Sequence, residues 1–157
     1  MKNLTKIFVT LFYTGYFKKG PGTFGSFISL LILSPIVIYN LLSIYILIAL
    51  FILIFVLSLY FIKNYSSYSN THDSSSIVID EFLGIYLIMI FYDFIFVYNN
   101  YITLFLIFVL FRLFDILKIF PANVIDRQMN NSLGVLLDDL VASIYSIVIL
   151  YTINVLS

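Results

Sequence analysis

"IVIDEFLGIYLIMIFY", residues 77–92, sets an acidic pair, Asp80 and Glu81, at the mouth of an apolar run that reads as a membrane span. Two adjacent carboxylates at the edge of lipid are costly, and such groups mark functional sites. The rest of the chain supports the lipid reading. Of its 157 residues, 62% are hydrophobic and only 10% charged, and mean hydropathy is +1.11. A soluble domain carries about 25% charged residues, so this chain cannot cover a water-facing surface. The composition predicts an all-α, multispanning helical membrane protein, one domain over residues 1–157. A net charge of zero argues against a nucleic-acid partner held by phosphate neutralisation. The absence of cysteine excludes disulfides, thiolate metal sites and a cysteine nucleophile.

A span needs about 20 apolar residues. Candidates cover roughly 23–40, 43–62, 81–98, 101–118 and 135–156, which predicts four to five transmembrane helices. The preceding "LTKIFVTLFYTGYF" is short and aromatic, and reads as an interfacial or packed helix. With five spans, Lys2, Lys6, Lys18, Lys19, Lys63, Arg112, Lys118 and Arg127 all fall on one side, which the positive-inside rule makes cytoplasmic. Asp73, Asp80, Glu81, Asp115, Asp126, Asp138 and Asp139 share that side, and Asp93 does not. Transporters more often place ionisable groups near the bilayer midplane. A layer at one interface suggests chemistry on something at the membrane surface.

Four stretches supply the layer. In "KKGPGTFGS", residues 18–26, Thr23 and Ser26 offer hydroxyls where a helix begins. A helix N-terminus favours an anion such as phosphate, although a simple helix cap explains the same residues. In "THDSSSIVIDEFLG", residues 71–84, Asp80 and Glu81 point about 100° apart on a helix, so one ion would need partners from other helices. Oxygen ligands of this kind suit Mg2+, often with phosphate completing the shell; the helix dipole alone also favours acids there. His72, the only histidine, reads as solvated in a polar loop. In "FRLFDILKIFPANVIDR", residues 111–127, Arg112, Asp115 and Lys118 are spaced by three along one helix stripe. That arrangement suits an anionic group beside a metal, the alternative being snorkelling cations with a local ion pair. In "NNSLGVLLDDLVAS", residues 130–143, Asp138 and Asp139 interrupt an apolar helix and are expected to face a buried polar site. Together these acids would repel one another unless a divalent metal were bound. A metal with basic residues and hydroxyls fits phosphate-ester chemistry.

From Gly20 to Ser143 the chain resembles the phosphatidylglycerophosphatase A family. "PGTFGS", "SIVIDEFLG", "FRLFDILK" and "DR" followed by "LGVLLDD" occur in that family's order and spacing. Each piece is weak alone, and the ordered set is specific. The resemblance implies a Mg2+-dependent phosphatase that removes the terminal phosphate of phosphatidylglycerophosphate, leaving phosphatidylglycerol. It implies a place in the bacterial inner membrane with chemistry at the cytoplasmic face. Carried over by motif, Asp80, Glu81, Asp115, Asp138 and Asp139 are expected to bind metal, with the base among Asp80, Glu81, Asp115 and Asp139. Arg112, Lys118, Thr23 and Ser26 are expected to bind phosphate. Asp126 and Arg127 match the family's Asp-Arg. The chain departs from the pattern at Ile119, where the family has proline, at Asn131 and Ser132, where it has glycines, and at Ser143, again a glycine position. The expected consequence is retained activity with a less well-formed loop near 130–134.

Three other readings compete. A small transporter of an ion or anionic metabolite predicts charges spread through the bilayer and internal symmetry. A lipid phosphotransferase of the common alcohol-transferring type needs an Asp-Gly, which this chain lacks. A non-catalytic scaffold leaves the clustered acids without a purpose.

Overall fold

The computed structural model describes residues 2–69 and 74–156. His72 and Asp73 lie outside the described residues. Those described form seven α-helices and no strand: α1 Lys2–Val9, α2 Pro21–Ile38, α3 Ile44–Ser69, α4 Ile79–Ile90, α5 Asn100–Leu117, α6 Ala122–Gln128 and α7 Ser132–Leu156. Among them α2, α3, α5 and α7 are long and apolar enough to cross a membrane. Their outward faces carry the lipid-compatible side chains that composition demanded, such as Ile52, Leu53 and Val56 of α3 and Phe105 of α5, all exposed.

The reading of 81–98 as a full span needs correction. Helix α4 has only 12 residues, about 18 Å at 1.5 Å per residue against a hydrocarbon core of about 30 Å. It stops at Ile90 and gives way to a short 3-10 turn at Tyr92–Phe94. Polar side chains then take over the backbone partners of residues 97–103. Thr103 Oγ1 accepts from Val97 N and donates to Val97 O, each at 2.9 Å, and Asn99 Oδ1 caps α5 at Ile102 N.

Eight of the twelve α4 residues are buried, including Phe82, Leu83, Ile85, Tyr86, Ile88 and Met89. A helix that is apolar all round belongs inside, and α4 is the central post, packed chiefly on α7 and α2. Its far end lies beside the α2–α3 turn: Tyr86 donates to Leu47 O at 3.0 Å, and Asp93 lines a small cavity there with Asn40 and Leu42. The up-down order of the chain therefore survives with one short member.

Close approach is set by small residues, as expected where lipid supplies no hydrophobic drive between helices. Gly84 illustrates this. A Cβ there would lie 2.5 Å from the Phe111 ring and 3.0 Å from Ser143 Oγ. Ser143 donates to Gly84 O at 2.8 Å, tying α7 to α4. The segment "LTKIFVTLFYTGYF" does contain a packed helix: in α1, Thr5 and Val9 are buried, and Val9 O accepts from Val78 N just ahead of α4.

Candidate active site

The starts of α2, α4 and α7 and the end of α5 converge on one cavity of about 280 Å³ at one end of the bundle. Six carboxylates line it, Asp80, Glu81, Asp115, Asp126, Asp138 and Asp139, against two cations, Arg112 and Lys118.

Asp80 and Glu81 occupy the first turn of α4, where the free amides and dipole favour negative charge. Asp80 Oδ1 accepts from the Glu81 amide at 3.1 Å. Asp138 and Asp139 sit in the second turn of α7, which begins three residues earlier than the sequence suggested, at Ser132. Both are nearly inaccessible, at 7% and 4% exposure. One carboxylate oxygen from each of Asp80, Glu81 and Asp139 falls within 4.8 Å of the others. These residues come from two helices, as an adjacent pair pointing apart requires.

The cations hold the flanks. Arg112 pairs with Asp115 one turn on, approaches Glu81 Oε1 at 3.7 Å and reaches Ser26 Oγ at 3.5 Å. Lys118 stands at the left-handed C-cap of α5, with φ 41°, and this turn sends its ammonium to Asp126 at 2.5 Å and Asp138 at 2.8 Å. Burial works against the Lys118 charge, but the bonds to Asp126 and Asp138 outweigh it and raise its pKa above the usual lysine value. Gly22 lets the N-terminus of α2 close the wall: a Cβ there would collide with Glu81 Oε1 and lie 3.2 Å from Arg112 Nη1.

Buried polar groups are normally hydrogen-bonded. Here Glu81 Oε2, Asp138 Oδ1 and Asp139 Oδ2 are buried without a partner. Hard oxygen donors that are buried, anionic and unsatisfied fit a divalent cation such as Mg2+, and the excess of carboxylates over cations makes the same demand. The residues present therefore fit a metal.

Of the sequence-predicted residues, Asp80, Glu81, Arg112, Asp115, Lys118, Asp138 and Asp139 come together. Ser26 is buried behind Arg112 and donates to Gly22 O at 2.8 Å, so it meets the cavity through the guanidinium. Thr23 is exposed and lines a separate groove beside Phe24 and Phe27. Asp126, singled out only by its Asp-Arg match, forms part of the wall and holds Lys118. In the loop near 130–134 a side chain caps the following helix. Asn131 Oδ1 caps α7 by accepting from Gly134 N at 2.9 Å, the standard service of asparagine at that position.

The fold and site define a polytopic helical membrane protein with an acidic, metal-competent pocket at one end of its bundle. Residues 7–154 match the family model described as Phosphatidylglycerophosphatase A, and the chain belongs to that family. Among curated proteins, the phosphatidylglycerophosphatase A of Haemophilus influenzae is 30% identical over 143 residues, covering 91% of this chain and 84% of that protein. The Escherichia coli protein of the same name is 35% identical over 83 residues, 53% of this chain and 46% of its own length. No solved structure matches.

Proposed function

We propose that this protein is a Mg2+-dependent phosphatase that hydrolyses the terminal phosphate of phosphatidylglycerophosphate to give phosphatidylglycerol. The observation that carries the reading is the set of buried, unpartnered carboxylate oxygens of Glu81, Asp138 and Asp139 beside Arg112 and Lys118. Family membership supports the substrate, since the related proteins carry that activity in their names.

In this reading Asp80, Glu81 and Asp139 would hold the metal, with Asp115 and Asp138 adjoining. When bound, Mg2+ neutralises phosphoryl charge and makes water a better nucleophile. Arg112 and Lys118 bind the phosphoryl oxygens and balance the charge that grows on them in the transition state. Ser26 keeps the guanidinium of Arg112 in position. The oxygen of water attacks the terminal phosphorus, and the bond from phosphorus to the glycerol oxygen breaks. A carboxylate of the cluster takes the proton from water, and the departing glycerol oxygen receives that proton as it leaves. The base is drawn from Asp80, Glu81, Asp115 and Asp139. Residues 1–157 act as one domain in the bacterial inner membrane. The lysine-rich ends face the cytoplasm, as the positive-inside rule requires. The clustering of ionisable groups at one end of the bundle gives no support to a transporter.

The test is phosphate release from phosphatidylglycerophosphate by purified protein in detergent, with Mg2+, with chelator, and with Asp80→Asn. Metal-dependent release that disappears in the variant is expected. Folded protein that releases nothing under any condition would overturn the enzyme reading.

A further inference from the structure

A second cavity, about 510 Å³, opens beside the first at the same end of the bundle. The two share Asn130 and Asn131 as their dividing ridge. One wall is a single face of α3: Leu59, Lys63, Ser66 and Ser67, which at spacings of four, seven and eight residues share a stripe. The other wall is the start of α7, Ser132 and Leu133. Along the stripe, apolar Leu59 lies deepest in the bundle, a cation follows one turn later, and hydroxyls lie toward the charged end. This is the order of groups in a phospholipid read from acyl chain to headgroup.

Two of these residues have donors to offer. Lys63 is exposed and absent from the four ion pairs among the described residues. Asn131 spends its Oδ1 on the cap of α7, which fixes the amide and leaves Nδ2 as a donor on the ridge. The Ser66 and Ser67 hydroxyls already donate to Ile62 O and Asn64 O, so the lysine and the asparagine are the groups that recognise an anion. The proposed substrate carries two phosphates: the reacting monoester, and a diester one glycerol unit away that joins the headgroup to the diacylglycerol. With the monoester beside Arg112 and Lys118, the diester must sit next to that cavity and nearer the lipid.

We propose that the cavity between α3 and the start of α7 binds the diester phosphate of the lipid substrate through Lys63 and Asn131. This rests on the phosphatase reading above. The site then reads two phosphates, and selects phosphatidylglycerophosphate over lipids whose only phosphate is a monoester. Lys63 and Asn131 are specificity residues, remote from the reacting phosphorus.

The test compares wild type, Lys63→Gln, Lys63→Arg and, as a control for bulk charge, Lys18→Gln, an exposed lysine outside both cavities. Kinetics are run in mixed micelles, with inorganic phosphate and phosphatidylglycerol, which keeps only the diester, as inhibitors. K63Q is expected to raise KM about three- to tenfold, the scale of one partly solvated charge-assisted contact, with kcat within about twofold of wild type. It weakens inhibition by phosphatidylglycerol and leaves inhibition by inorganic phosphate unchanged. K63R recovers most of the loss, and K18Q changes neither constant. An unchanged KM in K63Q, or equal shifts in K63Q and K18Q, overturns the subsite while the phosphatase reading stands. Loss of inhibition by inorganic phosphate in K63Q moves Lys63 to the reacting phosphate and also overturns it. Wild type that releases no phosphate overturns the phosphatase reading and the subsite with it.

Discussion

Replacing Asp139 by asparagine should stabilise the metal-free protein and reduce the stabilisation that Mg2+ brings. In chelator, oxygens of Asp80, Glu81 and Asp139 face one another within 4.8 Å. Ionised, two such groups repel by about 3.5 kcal/mol at an effective dielectric of about 20, and burial with the neighbouring Asp80 raises the Glu81 pKa, so proton uptake relieves part of this. Asp139→Asn removes one member and supplies an amide that can donate to the other two. Allowing for the relaxation that any real site undergoes, the metal-free variant should be more stable than wild type by about 1–3 kcal/mol, a rise of several degrees in Tm for a chain of this size. With Mg2+ the variant's advantage should shrink. At a concentration 100-fold above Kd, a bound ligand stabilises the folded state by about 2.7 kcal/mol. Losing one anionic ligand should weaken binding at least tenfold, which reduces that gain to about 1.4 kcal/mol at the same Mg2+. The assay is thermal unfolding of both proteins in one detergent, titrated with Mg2+, and needs no turnover. A metal-free variant less stable than wild type would refute the repulsion argument. Equal Mg2+ stabilisation of the two proteins would remove Asp139 from the metal site.

Gly84→Ala should destabilise the fold by about 1–3 kcal/mol through overpacking, since its Cβ would meet the Phe111 ring and Ser143 Oγ; adding Phe111→Leu should return part of the loss in the same unfolding assay. Tyr86→Phe should cost about 1 kcal/mol by leaving Leu47 O without the bond that ties α4 to α3. Lys118→Met should lower kcat at least tenfold in the phosphate-release assay, because it removes the proposed phosphate contact and leaves the buried Asp138 without its cation. The pH sign is fixed by the raised Lys118 pKa. A folded-state value above the unfolded one means that the stabilisation is complete below the ordinary lysine pKa and fades only as pH rises through the folded value. The stability gap between wild type and K118M should therefore stay constant from pH 6 to about 9 and narrow only in stronger alkali; a gap that closes near neutrality would contradict it.

The sequence carried the class of fold and the acids of the site because both rest on scarcity. With charges this rare, every ionisable residue in an apolar chain has to be accounted for, and counting spans was enough to send nearly all of them to one end. The length of α4 was less legible. Residues 81–98 stay apolar past Ile90 except at Asp93, yet the helix gives way there to the 3-10 turn at Tyr92–Phe94, an end that the run of apolar residues does not announce. Asp126 as the partner of Lys118 was hidden for a similar reason. Helical spacing cannot pair residues eight apart across a left-handed cap, and no preference of lysine announces one.

Thr23 and Ser26 show how narrow the margin is between a lining residue and an outer one. Gly22, Gly25, Ser26 and Ser29 recur at spacings of three, one and three, and form the strip of small residues that lets α2 lie against α4. Ser26 and Ser29 on that strip are fully buried. Thr23 is one residue off it, turned about 100° away, and so faces outward among phenylalanines. Ser26 thereby reaches Arg112, while Thr23 lines a separate groove. The strip also explains the acidic pair of residues 77–92. Only a helix start lined with glycine brings backbone close enough to Glu81 to close the pocket, and only a short, largely buried α4 can present Asp80 and Glu81 toward α7 without exposing them to lipid.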